Sequence, residues 1–331
     1  MSKIRWGLLS TANINRRVIP AIRESERGEL TAVASRNLDT AVAYAKEWNI
    51  PDVFQNYDDM LNSDAIDAVY IPLPNHLHAA WSIKAMRAGK HVLCEKPFAL
   101  TLAEVDEMIA AQKETGMVLA EAFMYRHHPQ TKIIGELLQN GRIGDILTVR
   151  AIFNFKIPAG QKNIRLEPEA GGGCLWDVGV YPVSFSQFVM GKRLPTAVFG
   201  TQIVGQSGVD EAFSGTLLYE SGVTAQVSCS FQSPFHTHAE IIGTNGRLEI
   251  TRPFVNLEDS TRRLTFFPVD GEPEEIAIPE KYLYLGEVED MHDAILNSQP
   301  NYLTLQETRQ HVQTILALYQ SANSGEIVEI V

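Results

Sequence analysis

Short apolar runs alternate with segments of helical periodicity through the first third of the chain. The apolar runs predict strands at residues 4–9, 30–34, 68–71, 91–93 and 118–120, and the segments between them predict helices at 14–25, 39–48 and 78–88. Another helix is predicted after Thr101, because Thr101–Glu104 has the pattern of a capping box. Strands separated by helices of about 10–15 residues indicate βαβ units and a parallel sheet.

After about residue 125 a helix is predicted at 129–139 and is followed by segments of alternating polarity. These segments lie at 146–155, 196–204, 212–219, 223–231, 238–243, 247–250 and 263–268, and a last helix is capped at Thr304 and ends at Ser324. Alternation with turn residues between the segments favours an antiparallel or mixed sheet. The chain has 331 residues, more than the about 100–200 of one typical domain, so we predict an α/β protein with domains at 1–124 and 125–331.

Composition narrows the classes of partner. A formal net charge of −12 argues against a nucleic-acid partner, which needs clustered Lys and Arg. Three cysteines without framework spacing indicate reduced thiols, and neither a signal peptide nor a run of about 20 apolar residues is found. We therefore expect a cytoplasmic protein with no membrane partner.

The first predicted strand runs into a loop where dinucleotide-binding folds carry a G-x-G-x-x-G fingerprint. Ser10–Asn15 takes that place: all three glycines are replaced, and small residues stand at the first two positions. The stretch is either a pyrophosphate loop or an ordinary strand-turn-helix with a polar cap. The candidate cofactor contacts in it are Ser10, Thr11, Ala12, Asn13 and Ile14.

The second predicted strand ends in Ser35 and Arg36. An NAD site usually carries Asp or Glu here for the ribose 2′-hydroxyl, whereas a nearby Arg accommodates a 2′-phosphate. A hydroxyl beside a guanidinium therefore favours NADP(H), with NAD(H) possible; the alternative is a solvated surface arginine.

The segment Pro72–His78 lies between a strand and a helix and contains an H-x-H spacing. Because no carboxylate or cysteine set adjoins the two histidines, we predict no metal site. A proline-framed loop against the cofactor is favoured, with Leu73, Pro74, Asn75 and His78 as contacts.

Two further segments carry side chains that can handle protons. Glu95 and Lys96 follow an apolar strand and are stopped by a proline, at the carboxyl end where open parallel sheets bind ligands. Gly171–Gly173 leads into Asp177 and Tyr181, which share one face if this segment is helical. The alternatives are a helix-dipole charge for Asp177 and a core aromatic for Tyr181.

Together these motifs resemble the Gfo/Idh/MocA family of oxidoreductases. The resemblance covers nearly the whole chain and is closest to the branch of dihydrodiol dehydrogenase, NADP-dependent xylose dehydrogenase and glucose–fructose oxidoreductase. It rests on Pro72–Asn75 with His78, Glu95–Pro97, Glu121–Arg126, and Gly171–Gly173 followed by Asp177, Gly179 and Tyr181. Many members carry histidine where this chain has Tyr181.

The resemblance implies an amino-terminal Rossmann domain and a carboxyl-terminal α/β domain that binds substrate. Its large, open, mainly antiparallel sheet would form a homodimer or homotetramer. The resemblance adds Glu95, Ala122, Arg165 and Tyr284 as cofactor contacts, and Arg126 and His127 as substrate contacts or, alternatively, a surface hinge.

The implied reaction is hydride transfer between a nicotinamide and a carbinol or carbonyl carbon of a sugar or polyol. Lys96 would polarise the reacting oxygen and Tyr181 would move the proton, while Asp177 would bind substrate or orient the lysine. Two alternatives stay open: a trans-dihydrodiol substrate, and a non-catalytic regulator that senses the dinucleotide.

Overall fold

The computed structural model describes residues 3–158, 160–220, 222–255 and 261–330. The chain forms two compact units. The first consists of the chain up to His127 together with Tyr284–Arg309, and the second consists of His128–Leu283 and the chain from Gln310. The domain bounds 1–124 and 125–331 stay a prediction; the first compact unit reaches His127 and also includes Tyr284–Arg309.

The strands of the first unit form one parallel sheet. They are β1 (Ile4–Leu9), β2 (Gly28–Ala34), β3 (Asp52–Phe54), β4 (Ala68–Ile71), β5 (His91–Glu95) and β6 (Leu119–Ala122). Their order, β3-β2-β1-β4-β5-β6, is that of a doubly wound dinucleotide-binding fold, which confirms the predicted Rossmann unit. Every residue of β4 is buried, as expected for a strand covered on both faces.

The helices are distributed between the two units. In chain order they are α1 (Asn15–Glu24), α2 (Leu38–Trp48), α3 (Tyr57–Leu61), α4 (His78–Arg87), α5 (Leu102–Thr115), α6 (Pro129–Gln139), α7 (Val180–Val189), α8 (Leu285–Asn297) and α9 (Leu305–Ser324). The capping box predicted at Thr101 is formed at the start of α5. None of the helices in the described ranges is both long and apolar enough to span a membrane.

Helix α8 was not predicted, and buried polar contacts hold it in the first unit. The Trp6 indole donates to Nε2 of His292 over 3.0 Å, and Nδ1 of His292 lies 3.1 Å from the Ser25 hydroxyl. Burial lowers the pKa of His292 to about 4, so the ring is neutral and donates from Nδ1. Arg27 adds an ion pair with Asp293 at 2.5 Å.

The second unit contains a nine-stranded sheet. Its strands are β7 (Ile146–Asn154), β8 (Ala197–Val204), β9 (Asp210–Leu218), β10 (Thr224–Ser230), β11 (His236–Gly243), β12 (Gly246–Thr251), β13 (Arg263–Pro268), β14 (Glu274–Glu275) and β15 (Val328–Glu329). The order is β14-β13-β12-β11-β7-β10-β9-β8-β15, and the neighbouring pairs are antiparallel except β7 with β10. The mainly antiparallel sheet was therefore predicted correctly.

The two faces of this sheet differ. One face is buried, with residues such as Val149, Ala151 and Phe153 beneath α7. The other face carries alternating, partly exposed side chains and a shallow concavity of about 670 Å³, lined by residues that include Arg150, Phe199 and His238.

Candidate active site

The loop after β1 adopts the conformation that the glycine fingerprint ordinarily provides. Ser10 has φ of 138°, a region that favours glycine, and its hydroxyl accepts from the amide of Ala12 over 3.2 Å. Asn15 donates to the Ser10 carbonyl over 2.8 Å. The tight turn of a dinucleotide site is therefore present although the first glycine is replaced.

The start of α1 fits an anion better than it fits an isolated helix. The first turn contains no acidic residue, no described side chain caps it, and it carries Arg16 and Arg17. Arg16 pairs with Glu47 over 3.2 Å, and the amides of a helix amino terminus suit a bound phosphate. Thr11, Ala12 and Ile14 are half-buried and Asn13 is exposed, which leaves the loop accessible.

The end of β2 presents the predicted guanidinium. Ser35 is buried and its hydroxyl accepts from the amide of Asn37 over 3.2 Å, whereas Arg36 is exposed. Burial raises the pKa of the Tyr57 phenol, on α3, and is the larger effect, while the charge of Arg36 lowers it. The strand ends in Ser35 and not in an acidic residue that would repel a phosphate, so this position suits a 2′-phosphate.

The loop after β4 runs into a short 3-10 helix, Asn75–Leu77, and then into α4. Leu73 is buried, and Pro74 and Asn75 are half-buried. His78 is fully buried, and its ring nitrogens lie 2.8 Å from the carbonyls of Pro97 and Leu73. Both nitrogens are therefore occupied by backbone, which argues against the direct cofactor contact predicted for His78 and against a metal ligand.

Glu95 ends β5 and Lys96 follows it, both half-buried. One oxygen of Glu95 accepts a short hydrogen bond from the hydroxyl of Tyr70 on β4, and the other accepts from the Lys96 amide over 3.2 Å. Burial raises the pKa of Glu95, while the charge of Lys96 opposes the rise. The carboxylate thus fixes the backbone from which the predicted catalytic amine projects.

A second buried carboxyl, that of Glu287, lies close enough to Glu95 to be affected by its charge. Glu287, in the first turn of α8, is 2% exposed, and neither of its oxygens has a hydrogen-bond partner among the residues that the structure describes. Burial and the negative charge of Glu95 raise its pKa well above the ordinary value. The predicted cofactor residue Tyr284 belongs to the same cluster, since it acts electrostatically on Tyr70.

Arg126 and His127, predicted as substrate contacts or a surface hinge, are both buried. Arg126 has no exposed surface and pairs with Glu307 of α9 over 2.9 Å. His127 is 3% exposed and packs against Tyr302 with ring centroids 5.7 Å apart. Burial does not suit a surface hinge, while a substrate contact stays a prediction for both residues. Ala122, at the end of β6 beside Glu95, is also buried.

In the second unit Asp177 and Arg165 are joined. Arg165 Nε donates to Asp177 Oδ2 over 2.7 Å, with the guanidinium half-exposed, and Asp177 lies in a turn of π-helix, Leu175–Gly179. Such turns are frequent at functional sites. A Cβ on Gly172 would lie 2.6 Å from the Arg165 carbonyl, so glycine is required for this approach.

Asp210 hydrogen-bonds to the turn that carries Asp177, and the sequence pattern did not reveal it. It is 4% exposed, and it accepts from the Leu175 amide and from the hydroxyl of Tyr319, each over 2.7 Å. Burial raises the pKa of Asp210 against these hydrogen bonds. The carboxyl group therefore holds the start of the turn that carries Asp177.

Tyr181 lies in α7 with its ring in an aromatic cluster. Its centroid is 5.2 Å from Phe153 and 5.6 Å from Phe254, and the residue is 3% exposed. The packing fixes the direction of the phenol, as expected for a positioned proton donor. The same packing makes Tyr181 a core aromatic, the alternative that the sequence left open.

The doubly wound sheet, its turn after β1 and the lysine at its carboxyl edge define a dinucleotide-dependent oxidoreductase. Residues 4–123 match the oxidoreductase family with an NAD-binding Rossmann fold, and residues 132–249 match the GFO/IDH/MocA C-terminal domain. The chain is 37% identical to D-xylose 1-dehydrogenase (NADP(+)) 2 of Haloferax volcanii, over 98% of this chain and 99% of that protein.

Other similar proteins are also dehydrogenases or reductases. Trans-1,2-dihydrobenzene-1,2-diol dehydrogenase of Mus musculus is 32% identical over 75% of each chain. A 3-ketoreductase from Actinomadura kijaniata, solved with NADP and TDP-benzene, superposes with a TM-score of 0.90 at 30% identity over 97% of this chain and 98% of that one. The chain belongs to the GFO/IDH/MocA family and is an NAD(P)-dependent dehydrogenase or reductase.

Proposed function

We propose that the chain transfers a hydride between NADP(H) and the carbinol or carbonyl carbon of a sugar or related polyol. The observation that carries the cofactor preference is the exposed Arg36 at the end of β2, where a carboxylate would select NAD. The NADP-linked xylose dehydrogenase among the relatives supports both cofactor and substrate class.

The residues that would hold the cofactor fall into groups by the part of it they suit. The loop after β1 and the first turn of α1 suit the pyrophosphate, and Ser35 with Arg36 suits the 2′-phosphate. The remaining contacts we propose are Leu73, Pro74, Asn75, Glu95, Lys96, Ala122, Arg165 and Tyr284.

The bound nicotinamide supplies or accepts the hydride, and the chain has to manage the proton at oxygen. We assign Lys96 to the reacting oxygen, as a donor whose backbone is fixed by Glu95. Tyr181 supplies or accepts the proton. Asp177, which accepts a hydrogen bond from Arg165, binds the substrate or orients the lysine.

We also propose a homodimer or homotetramer in the cytoplasm. The open face of the nine-stranded sheet carries Phe199, 39% exposed, among partly exposed polar side chains, and a second copy of the same sheet would bury it. Cys94, Cys174 and Cys229 are buried free thiols, which suits a reducing compartment.

A trans-dihydrodiol is a second candidate substrate. Its ring needs an apolar wall, whereas an aldose needs many hydrogen-bond partners. The mouse relative named above acts on such a diol.

One experiment separates these candidates. Turnover is measured by NADPH absorbance over a panel of pentoses, hexoses and trans-diols, with NADP and NAD compared for each. The proposal expects turnover with a sugar or polyol and preference for NADP, and that preference should disappear in Arg36→Ala. Turnover of diols alone would select the second candidate, and NADPH binding without turnover of any substrate would indicate a regulator.

A further inference from the structure

His78 connects two segments at the ligand edge of the Rossmann sheet. It is the first residue of α4 and has no exposed surface. Its Nε2 lies 2.8 Å from the carbonyl of Leu73, in the loop after β4, and its Nδ1 lies 2.8 Å from the carbonyl of Pro97, next to Lys96. Since β4 and β5 are neighbours, one imidazole spans the ends of two adjacent strands.

Both partners are backbone carbonyls, which only accept hydrogen bonds. A ring protonated on both nitrogens donates to both, and a ring with one proton donates to one carbonyl while lying between the two. The pKa of His78 is lowered, first by burial and also by the charge of Lys96, against the two carbonyls and Glu121, which raise it. The ring is therefore neutral, and it donates to one carbonyl while its other nitrogen lies against the second. Glu121 is itself held by the hydroxyl of Thr308 over 2.8 Å.

We propose that His78 is a positioning residue that couples the dinucleotide loop to the catalytic lysine, with one ring nitrogen serving each segment. The inference deepens the proposed function and rests on it. The Nε2 contact sets the Leu73 backbone against the cofactor, and the Nδ1 contact sets the Pro97 backbone and therefore the root of Lys96. His78 acts through these two segments and does not touch the cofactor.

Two amide variants separate the two contacts, because the amide nitrogen of glutamine corresponds to Nε2 of histidine and that of asparagine to Nδ1. In His78→Gln the Leu73 contact remains and the Pro97 contact is lost. We expect the KM for NADPH to stay within about twofold and kcat to fall about tenfold, because the backbone next to Lys96 loses its buried partner. In His78→Asn the reverse is expected, with KM raised about tenfold and kcat nearly unchanged.

His78→Leu, which lacks both contacts, should show both defects and serves as the matched control. Amide hydrogen exchange of Leu73 and Asn75, and of Lys96, Phe98 and Ala99, is measured in parallel, since this readout does not depend on turnover. The first segment should exchange faster only in the asparagine and leucine variants, and the second only in the glutamine and leucine variants.

The proposal is overturned if the two amide variants change kcat and KM in the same proportion, or if exchange rises equally in both segments. A purely structural histidine would give that result. Wild-type turnover is measured first and decides the proposed function by itself, so its failure is distinguishable from failure of the His78 inference, which the exchange data then decide.

Discussion

At the scale of single residues, the site depends on side chains that occupy unusual places. Ser10 stands where the fingerprint has glycine and takes a glycine-like φ, and Lys96 projects from backbone fixed by Glu95. Such local conflicts are expected at functional sites, where the surrounding structure holds a strained residue in place.

Replacing Ser10 tests whether the turn is strained. Ser10→Ala removes the hydrogen bond to Ala12 but keeps the Cβ, whereas Ser10→Gly also removes the Cβ. Glycine should be the more stable of the two variants by about 1 kcal/mol, because a strained non-glycine conformation costs about 1–3 kcal/mol and exceeds the entropy cost of glycine. Urea unfolding measures the difference. If alanine is as stable as glycine, the turn is not strained.

At the scale of elements, local signals predicted some features well. The capping residues Thr101 and Thr304 each begin a helix as predicted, with reciprocal hydrogen bonds to Glu104 and Glu307. Lys96 lies just past the end of its strand, although β5 extends two residues beyond the predicted end to include Glu95.

Other elements could not be predicted because tertiary contacts form them. Helix α8 buries Glu287 and His292, polar residues that break the apolar pattern of its inner face, and no side chain of the described residues caps its start. β3 has only three residues, too few for a periodic signal. Likewise Tyr70 and Asp210 act on partners distant in sequence, so no local motif marks them.

The first turn of α8 gives a prediction about pH. The pKa of Glu287 is raised by burial and by Glu95, so the folded chain keeps a proton that the unfolded chain releases above about pH 4.3. The contribution of Glu287 to the free energy of unfolding should therefore fall as pH rises from that value to its folded-state pKa, by at most about 1.4 kcal/mol per pH unit.

Glu287→Gln should remove this pH dependence, because the amide carries no releasable proton. The variant should gain stability over the wild type as pH rises, with the difference smallest near pH 4, in urea unfolding across pH 4–8. Glu29→Gln, at an exposed position of β2, is the control and should leave the slope unchanged. Parallel slopes in the wild type and Glu287→Gln would show that Glu287 ionises normally in the folded chain.

At the scale of the whole molecule, one face of the nine-stranded sheet is not covered by the unit's own helices. Nine strands bury one face against the unit's own helices, while Phe199 and its neighbours form the other. A charge placed on that face should dissociate an assembly built on it, since an unpaired buried charge is costly.

Phe199→Glu should therefore lower the mass measured by light scattering from that of a dimer or tetramer toward that of the 36.8 kDa chain. Val42→Glu is the matched control: Val42 is a 50% exposed apolar residue on α2, outside the sheet. A wild type that is monomeric, or a Phe199→Glu variant with unchanged mass, would contradict assembly through this face.

The amine of Lys96 is assigned to the reacting oxygen, and Lys96→Met removes that amine. Methionine has a similar length and no hydrogen-bond donor, so turnover should fall by at least about a hundredfold, in the range typical for loss of a donor to the reacting oxygen. NADPH binding, followed by fluorescence, should stay within a few-fold of the wild type. A Lys96→Met enzyme that turns over at the wild-type rate would contradict the account.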